Sequence, residues 1–189
     1  MRSSIRAVLV SLALLTVLSG VVYPLLILGL AQAFYPAQAD GSLVRRDGKI
    51  IGSTLIGQNF NEDRYFWGRP SATVPDPYNA AASSGSNLAP SNPQLAKDVA
   101  ARCIALVKSR GNSDAPIPLD LVTTSASGLD PHLTVAAVLY QVNRVAAARG
   151  IPPSTVRALV EQHVESPAFG FLGEFRVNVL AVNLALDAR

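Results

Sequence analysis

Histidine and cysteine, two side chains that often act in catalysis and bind transition metals, are scarce in this chain. It has two histidines, His132 and His163, and a single cysteine, Cys103. The histidines fall in separate predicted helices, without cysteines or paired carboxylates at the spacing of zinc ligands, so we expect no metal site. One cysteine cannot form an intramolecular disulfide, and stability must therefore come from packing of the core.

A serine-rich segment is the place where nucleophilic catalysis could be assembled. Ser125 and Ser127 lie close in sequence to His132 and Asp120, and a serine, a histidine and a carboxylate make a hydrolase triad when the fold joins them by hydrogen bonds. The same segment, ending at Asp130, is also typical of a turn that leads into a capped helix. A membrane-anchored exported serine hydrolase is therefore the alternative function, and the turn is the favoured interpretation.

Motifs for binding nucleotides or nucleic acids are missing. The sequence has no G-x-x-x-x-G-K-[ST] loop, and no G-x-G-x-x-G follows a predicted strand. The formal charge is +3, and Arg2 and Arg6 supply two of the sixteen Lys and Arg, so the remainder is almost balanced by thirteen Asp and Glu. A surface for phosphate needs clustered cations. We therefore expect no nucleic-acid partner. Because catalytic motifs are also missing, we expect no catalytic residue.

The uncharged segment from Ala7 to Tyr35 is the longest apolar stretch of the chain. About 20 helical residues cross a hydrocarbon core of ~30 Å, so the segment predicts a transmembrane helix, and Pro24 within it can produce a kink. Arg2 and Arg6 precede the helix, and the positive-inside rule then places residues 1–6 in the cytoplasm and residues 36–189 outside it.

A cleaved signal peptide is the alternative for this segment. Ala31–Ala33 and Ala37–Ala39 both have the A-x-A pattern that signal peptidase recognises. Signal peptides, however, have apolar regions of about 7 to 15 residues, which is roughly half the length found here. The length favours a retained anchor.

The sequence pattern of residues 36–189 predicts one α+β domain, because predicted helices are mixed with a few short predicted strands. A hairpin is expected within residues 43–58, where glycines interrupt β-branched residues, and an irregular loop over residues 59–93. Asn92-Pro93, Asp130-Pro131 and Pro153-Ser154 are typical helix starts, and Gly111 and Gly150 typical helix ends. The predicted elements are helices over 93–110, 130–149 and 155–164, a possible strand over 119–124, and a strand followed by a helix over 176–186.

The loop over residues 59–93 contains Tyr65, Phe66, Trp67 and Tyr78. Four aromatic residues among polar ones argue against disorder and predict an ordered loop that covers a surface. Tyr, Trp and Arg are enriched at binding hot spots, which makes a partner interface one interpretation. The other interpretation is that these aromatic residues complete the core of their own domain.

Several ordered motifs along the chain point to one family. They are Leu55-Ile56-Gly57-Gln58, Tyr65-Phe66-Trp67-Gly68-Arg69-Pro70-Ser71-Ala72, Tyr78-Asn79, Gly85-Ser86-Asn87-Leu88, the run from Asp120 to His132, and the run from Gly170 to Leu180. Together they resemble the small C subunit of the Kdp-type potassium-transporting P-type ATPases of bacteria, from the anchor to the end of the chain. Phe175 departs from the family pattern, in which proline is expected, and should change that turn only locally.

The resemblance implies a non-catalytic accessory subunit of a high-affinity potassium uptake complex in the cell inner membrane. The implied partners are a channel-like potassium-binding subunit, a P-type ATPase subunit, a very small peptide subunit and the lipid bilayer. The phosphorylation motif D-K-T-G is absent from this sequence, so ATP hydrolysis is expected in a partner chain. Tyr65, Trp67, Arg69, Tyr78 and Asn87 are the expected partner-interface residues.

The resemblance also implies a catalytic chaperone that raises the ATP affinity of the hydrolysing subunit. With the predicted topology, only residues 1–6 reach the cytoplasm, where ATP is found, and no phosphate-binding loop is present. Any effect on ATP affinity should then be an indirect coupling through the helix and the partner subunits. ATP is therefore implied by the family alone, and the cofactor-binding residues are unknown.

Overall fold

The computed structural model describes residues 2–110 and 115–188. They form two compact units, one that ends at Ser53 and one that begins at Thr54. Each unit has its own helices and its own sheet. Gly111, which was predicted to stop a helix, lies outside the described residues.

The first unit begins with a continuous helical segment made of α1 (Arg2–Val17), a π-helical turn (Leu18–Val22) and α2 (Tyr23–Phe34). Within it, Ser4–Phe34 is long and apolar enough to cross a membrane, with a mean hydropathy of 2.3, and none of it is buried inside the protein. The predicted span over residues 7–35 falls on this segment except at Tyr35, whose backbone is not helical.

The irregularity expected at Pro24 takes the form of the π turn just before it. Proline has no backbone N–H to donate, and a turn with i→i+5 hydrogen bonds adjusts the helix around the missing donor. Pro24 is the second residue of α2, directly after this turn in a helical segment that continues without a break.

A short helix α3 (Pro36–Ala39) and a hairpin complete this unit. The hairpin pairs β1 (Leu43–Arg46) with β2 (Lys49–Ser53) in an antiparallel arrangement, which confirms the predicted hairpin. Asp47 and Gly48 connect the strands, and both have positive φ values of 51° and 75°. Positive φ at both central residues is the requirement of the two-residue turn that suits the twist of a hairpin.

The second unit is an α+β domain, as predicted. Its helices are α4 (Pro93–Arg110), α5 (Val135–Arg149), α6 (Pro153–Gln162) and α7 (Val179–Asp187), and its strands are β3 (His132–Thr134), β4 (Val164–Glu165) and β5 (Arg176–Asn178). The strands form one antiparallel sheet in the order β3-β5-β4. Short 3₁₀ turns occur at Ala80–Ala82 and Leu119–Leu121.

Two strands of this sheet lead directly into helices. The hydroxyl of Thr134 at the end of β3 accepts a hydrogen bond from the Ala137 N–H at 3.3 Å, and the side-chain oxygen Oδ1 of Asn178 at the end of β5 accepts one from the Ala181 N–H at 3.1 Å. Each strand therefore ends on a side chain that caps the following helix. The predicted change from strand to helix over residues 176–186 is confirmed.

Two predicted elements are wrong. Residues 132–134 pair with β5 and so form a strand, and the helix predicted from Asp130 begins only at Val135. The possible strand over residues 119–124 is a 3₁₀ turn, because no neighbouring strand pairs with it among the described residues. His132 therefore lies in a strand and His163 just after α6, so neither is in a helix as predicted.

The other predicted helices are confirmed. Helix α4 begins at Pro93, α5 ends at Gly150 in the left-handed conformation (φ 65°), and α6 begins two residues before the predicted start. The core lies between these helices and the sheet, and its fully buried members include Phe66, Val138, Val145, Val156 and Val177. Cys103 is partly buried and packs against this core.

Candidate functional site

The loop over residues 59–93 has almost no regular structure, yet two buried amide side chains hold its backbone. Asn183 on α7 accepts a hydrogen bond from the Phe66 N–H at 2.9 Å and donates one to the Phe66 carbonyl at 3.0 Å. Gln141 on α5 does the same for Trp67, at 2.8 and 3.1 Å. Each carboxamide satisfies one donor and one acceptor, as a neighbouring strand would.

Arg144 holds the same loop from the next turn of α5. Its guanidinium donates to the carbonyls of Asp63 and Tyr65 at 2.7 and 3.0 Å and to the side chain of Gln141 at 2.7 Å. It also lies over the Trp67 ring, 4.0 Å from the centroid, in a favourable cation–π arrangement. Burial lowers the pKa of Arg144 to about 10, against the opposing effect of the Asp63 carboxylate, so the side chain is still a cation at neutral pH.

Tyr65 fixes the loop to the end of α7. Its hydroxyl donates to Asp187 at 2.9 Å, and Arg149 donates to the other oxygen of that carboxylate at 2.8 Å. The Arg149 guanidinium also lies 5.1 Å from the centroid of the Tyr65 ring. Burial acts to raise the pKa of Asp187, but the hydrogen bonds from Arg149 and Tyr65 outweigh it and the pKa falls below its usual value. Asp187 is therefore ionised at neutral pH.

Arg69 and Tyr78 form the next part of the loop. The Arg69 guanidinium donates to Asp130 at 3.2 Å and to the Thr124 carbonyl at 3.3 Å. The Tyr78 hydroxyl donates to the Arg69 carbonyl at 2.5 Å. Burial, and then the Asp130 carboxylate, raise the pKa of Tyr78 to about 12, so its phenol is neutral. The Nε atom of Arg69 is buried and has no hydrogen-bond partner among the described residues.

A cavity of about 290 Å³ opens between this loop and α4. Trp67, Arg69 and Tyr78 line it from the loop, and Arg102 and Ala105 line it from α4. Arg102 donates to the Val122 carbonyl at 2.8 Å and has no carboxylate partner among the described residues. The cavity is thus an aromatic recess with guanidinium groups at its wall, which is a favourable place for an acceptor group of a binding partner.

The five residues predicted at a partner interface do not all come together. Trp67, Arg69 and Tyr78 share the cavity, whereas Tyr65 and Asn87 are not among its lining residues. Asn87 is exposed and has a positive φ of 51°. Tyr65, Trp67, Arg69 and Tyr78 all make contacts within their own domain, as the core interpretation of this loop expected. A role at a partner interface stays a prediction for all five.

The serine-rich segment does not have the hydrogen bonds of a triad within the described chain. Ser125 accepts a hydrogen bond from the Gly128 N–H at 2.9 Å, and Asp120 accepts one from Thr134 at 2.9 Å. The ring nitrogens of His132 lie 3.7 and 3.6 Å from the carboxylates of Asp130 and Glu165. The serine and the carboxylate thus have structural partners. The segment is a turn, as the favoured interpretation predicted, but it leads into strand β3 and not directly into a helix.

The described residues also lack a cluster of side chains that could bind a metal ion. Among residues 2–110 and 115–188, no three His, Cys, Asp or Glu side chains are grouped as a metal ion would require. None of the arrangements described above contains a phosphate-binding loop, and we assign no residue to ATP.

Three residues that organise the loop were given no role by the sequence analysis: Gln141, Arg144 and Asn183. Gln141 and Asn183 are about 1% exposed and Arg144 about 6%. Polar side chains are rarely so buried unless they are paired. The signal that could have found them is a polar residue at core spacing within an otherwise apolar helix face.

These features define a class of protein, an α+β domain on a chain whose described residues include one helix able to span a membrane. A family model described as "K+-transporting ATPase, c chain" matches residues 5–188. The chain is 58% identical over 189 residues to a protein from Methylibium petroleiphilum named potassium-transporting ATPase KdpC subunit, covering 100% of this chain and 99% of that one.

Proteins from two other organisms have the same name. A protein from Sorangium cellulosum is 55% identical, over 99% of this chain and 98% of its own, and one from Herpetosiphon aurantiacus is 54% identical, over 99% and 97%. The chain belongs to the family of potassium-transporting ATPase C subunits. It is therefore an accessory subunit of a potassium transport complex, and the predicted family is confirmed.

Proposed function

We propose that the α+β domain docks on the extracytoplasmic face of the channel-like potassium-binding subunit and stabilises the assembled pump. The observation that carries this proposal is the loop over residues 59–93, held rigidly by Asn183, Gln141 and Arg144 while one side of it remains open as a cavity. A loop that is ordered before binding loses little entropy when a partner is added. Aromatic and arginine side chains at such a surface are typical of interface hot spots.

The proposed topology follows from the charge of the N-terminal segment. Arg2 and Arg6 precede the apolar helix, and the positive-inside rule favours a cytoplasmic N-terminus in a single-pass protein of the inner membrane. Residues 1–6 would face the cytoplasm, residues 7–35 would span the bilayer, and residues 36–189 would lie outside the cytoplasm. Retention of the helix as an anchor is part of this proposal.

ATP hydrolysis is proposed for the P-type ATPase subunit, and this chain acts without catalysing a reaction. The small peptide subunit completes the proposed complex. By family resemblance, the chain also acts as a catalytic chaperone that raises the affinity of the P-type ATPase subunit for ATP. Because the domain lies on the side opposite to ATP in the proposed topology, this effect is a coupling free energy carried by the helix and the partner subunits.

The docking proposal can be tested without disturbing the contacts that hold the loop. Ala105 lines the cavity and is exposed on α4, so Ala105→Phe should place a ring in the space that the partner needs. Ala101→Phe is the matched control, because Ala101 is exposed one turn earlier and does not line the cavity. The measurement is the fraction of the chain that co-purifies with the complete complex in mild detergent.

We expect Ala105→Phe to reduce this fraction several-fold and Ala101→Phe to leave it unchanged. The melting temperature of the isolated full chain in detergent should be the same for both variants. Equal co-purification of both variants and the unmodified chain would remove the cavity from the interface.

A further inference from the structure

The connection between β4 and β5 exposes an unusual amount of apolar surface. Phe169 is 88% exposed, Phe171 75%, Leu172 54% and Phe175 57%. We call residues 168–175 the Phe loop. Residues 170–175 belong to the family motif from Gly170 to Leu180, and the docking surface described above does not include the Phe loop. A monomeric domain has no reason of its own to keep three phenyl rings in water.

The Phe loop is a structured turn. Ala168 and Leu172 exchange backbone hydrogen bonds at 3.0 and 2.9 Å, and the Gly170 N–H donates to Pro167 at 3.0 Å. Phe169 has a positive φ of 55°, a conformation that is strained for a bulky side chain. The loop therefore keeps its rings exposed in a defined arrangement instead of folding them onto the core. Such preorganisation lowers the entropy lost on binding.

The size of the patch indicates a part of an interface. Since one aromatic side chain can bury about 150 to 250 Å², the three rings and Leu172 expose on the order of 500 Å². The largest patch on a typical monomer is roughly 300 to 600 Å² and is often functional. A stable complex usually buries about 800 Å² on each partner, so self-association through this loop alone would be too weak.

The charges around the loop favour a protein partner over the lipid surface. Glu174 is the ionisable residue inside the loop, and it has no ion-pair partner among the described residues. On the flanking strands, Arg176 donates to Glu165 at 2.9 Å, so that cation is already paired. Segments that lie on anionic membranes carry Lys and Arg beside their apolar residues. The Phe loop instead carries an unpaired carboxylate beside its apolar residues, which an anionic lipid surface would repel.

We infer that the Phe loop inserts into an apolar recess on the extracytoplasmic face of the potassium-binding subunit, where Glu174 meets a cation. This inference rests on the proposed docking and adds a second contact, away from the cavity. Two separated contacts restrict the orientation of the domain on its partner more strongly than one.

Photo-crosslinking in the complete complex tests the inference separately from the docking proposal. Benzoylphenylalanine is introduced at position 171 in the Phe loop, at position 105 in the cavity and, as a control, at position 104. Ile104 is 70% exposed on α4 and is not a lining residue of the cavity. Crosslinked products from membranes are identified by mass spectrometry.

The expected result is a product between position 171 and the potassium-binding subunit, at least tenfold above that from position 104. A product at position 105 without one at position 171 would overturn the Phe loop contact and leave docking intact. Products at neither position would overturn both. A lipid adduct, or a product with a second copy of the chain, at position 171 would replace the proposed partner and so also overturn the inference.

Substitutions give an independent measurement. Phe171→Ser combined with Leu172→Ser should lower co-purification with the complex at least fivefold. Glu174→Arg, tested alone, should also lower it. Ile104→Ser is the control for loss of an exposed apolar side chain. Because the loop lies outside the core, the melting temperature of the full chain should not fall. Unchanged co-purification would contradict the inference.

Discussion

The side chain of Tyr78 lies against Gly68, where there is no room for a larger residue. A Cβ atom added to Gly68 would be 2.5 Å from the Tyr78 hydroxyl oxygen, and the next atom of that ring, Cζ, would be 3.6 Å away. The same hydroxyl donates to the Arg69 carbonyl. The hydroxyl oxygen of Tyr78 therefore excludes a side chain at position 68 and also helps to fix the loop beside the cavity.

We predict that Gly68→Ala destabilises the domain by about 1–3 kcal/mol, because the methyl group overpacks against that oxygen. In a Tyr78→Phe background the oxygen is absent and the nearest atom is at ordinary contact distance, so the same substitution should cost much less. The measurement is a double-mutant cycle from urea unfolding of the full chain in detergent, followed by fluorescence of Trp67, the only tryptophan. Equal costs in the two backgrounds would contradict the prediction.

The second prediction concerns Asn183. Replacing it with alanine leaves the buried N–H and C=O of Phe66 without partners, and we expect a loss of about 2–4 kcal/mol in the free energy of unfolding. The emission of Trp67 should shift to the red, because the loop separates from α7 and admits water. Asn143→Ala is the control, since Asn143 is exposed on α5. A cost for Asn183→Ala as small as that of the control would show that these hydrogen bonds do not hold the loop.

The elements that could be predicted from the sequence are those determined by local chemistry. The apolar helix follows from composition, and the hairpin, α4 and the end of α5 follow from turn and cap residues such as Gly48, Pro93 and Gly150. Strand β3 was missed because its three residues are extended only through pairing with β5, more than forty residues later. Local signals at Asp130 and Pro131 predict a helix, and the distant pairing overrides them.

The candidate site was predictable only in part for the same reason. The aromatic residues of the loop over 59–93 indicated order, but the groups that hold them are far away in sequence. Gln141 and Asn183 are separated from Trp67 and Phe66 by 74 and 117 residues. The Phe loop was also missed, because an apolar residue in a sequence predicts burial and only the fold shows that nothing covers it.

The third prediction is an acid-sensitive contribution from Asp130. Burial acts to raise the pKa of this carboxyl, but hydrogen bonds from His132 and Arg69 and the charge of Arg69 bring it below its ordinary value of 3.8. A carboxyl with a lowered pKa in the folded state stabilises the fold above its ordinary pKa, and this contribution is lost as the pH falls through the lower, folded value. Stability should therefore fall with acid below about pH 4.

Asp130→Asn should be less stable than the unmodified chain at pH 7 and should approach it as the pH falls towards 3. Glu161→Gln, at an exposed position of α6, is the control and should run parallel to the unmodified chain. The measurement is urea unfolding at a series of pH values in detergent. A constant difference between Asp130→Asn and the unmodified chain at every pH would contradict the assigned role of the carboxylate.

The last prediction concerns Tyr78 at alkaline pH. Burial, and then the nearby Asp130 carboxylate, raise its pKa from 10.0 to about 12, with Arg69 acting in the opposite direction. A group whose pKa is raised in the folded state contributes stability that is complete below pH 10.0 and is lost as the pH rises through about 12. Subtracting the tyrosinate absorbance of Tyr78→Phe from that of the unmodified chain isolates this phenol from the other four. The difference should rise with a midpoint near pH 12, and a midpoint near 10 would mean that water reaches the hydroxyl and that the loop beside the cavity is open in solution.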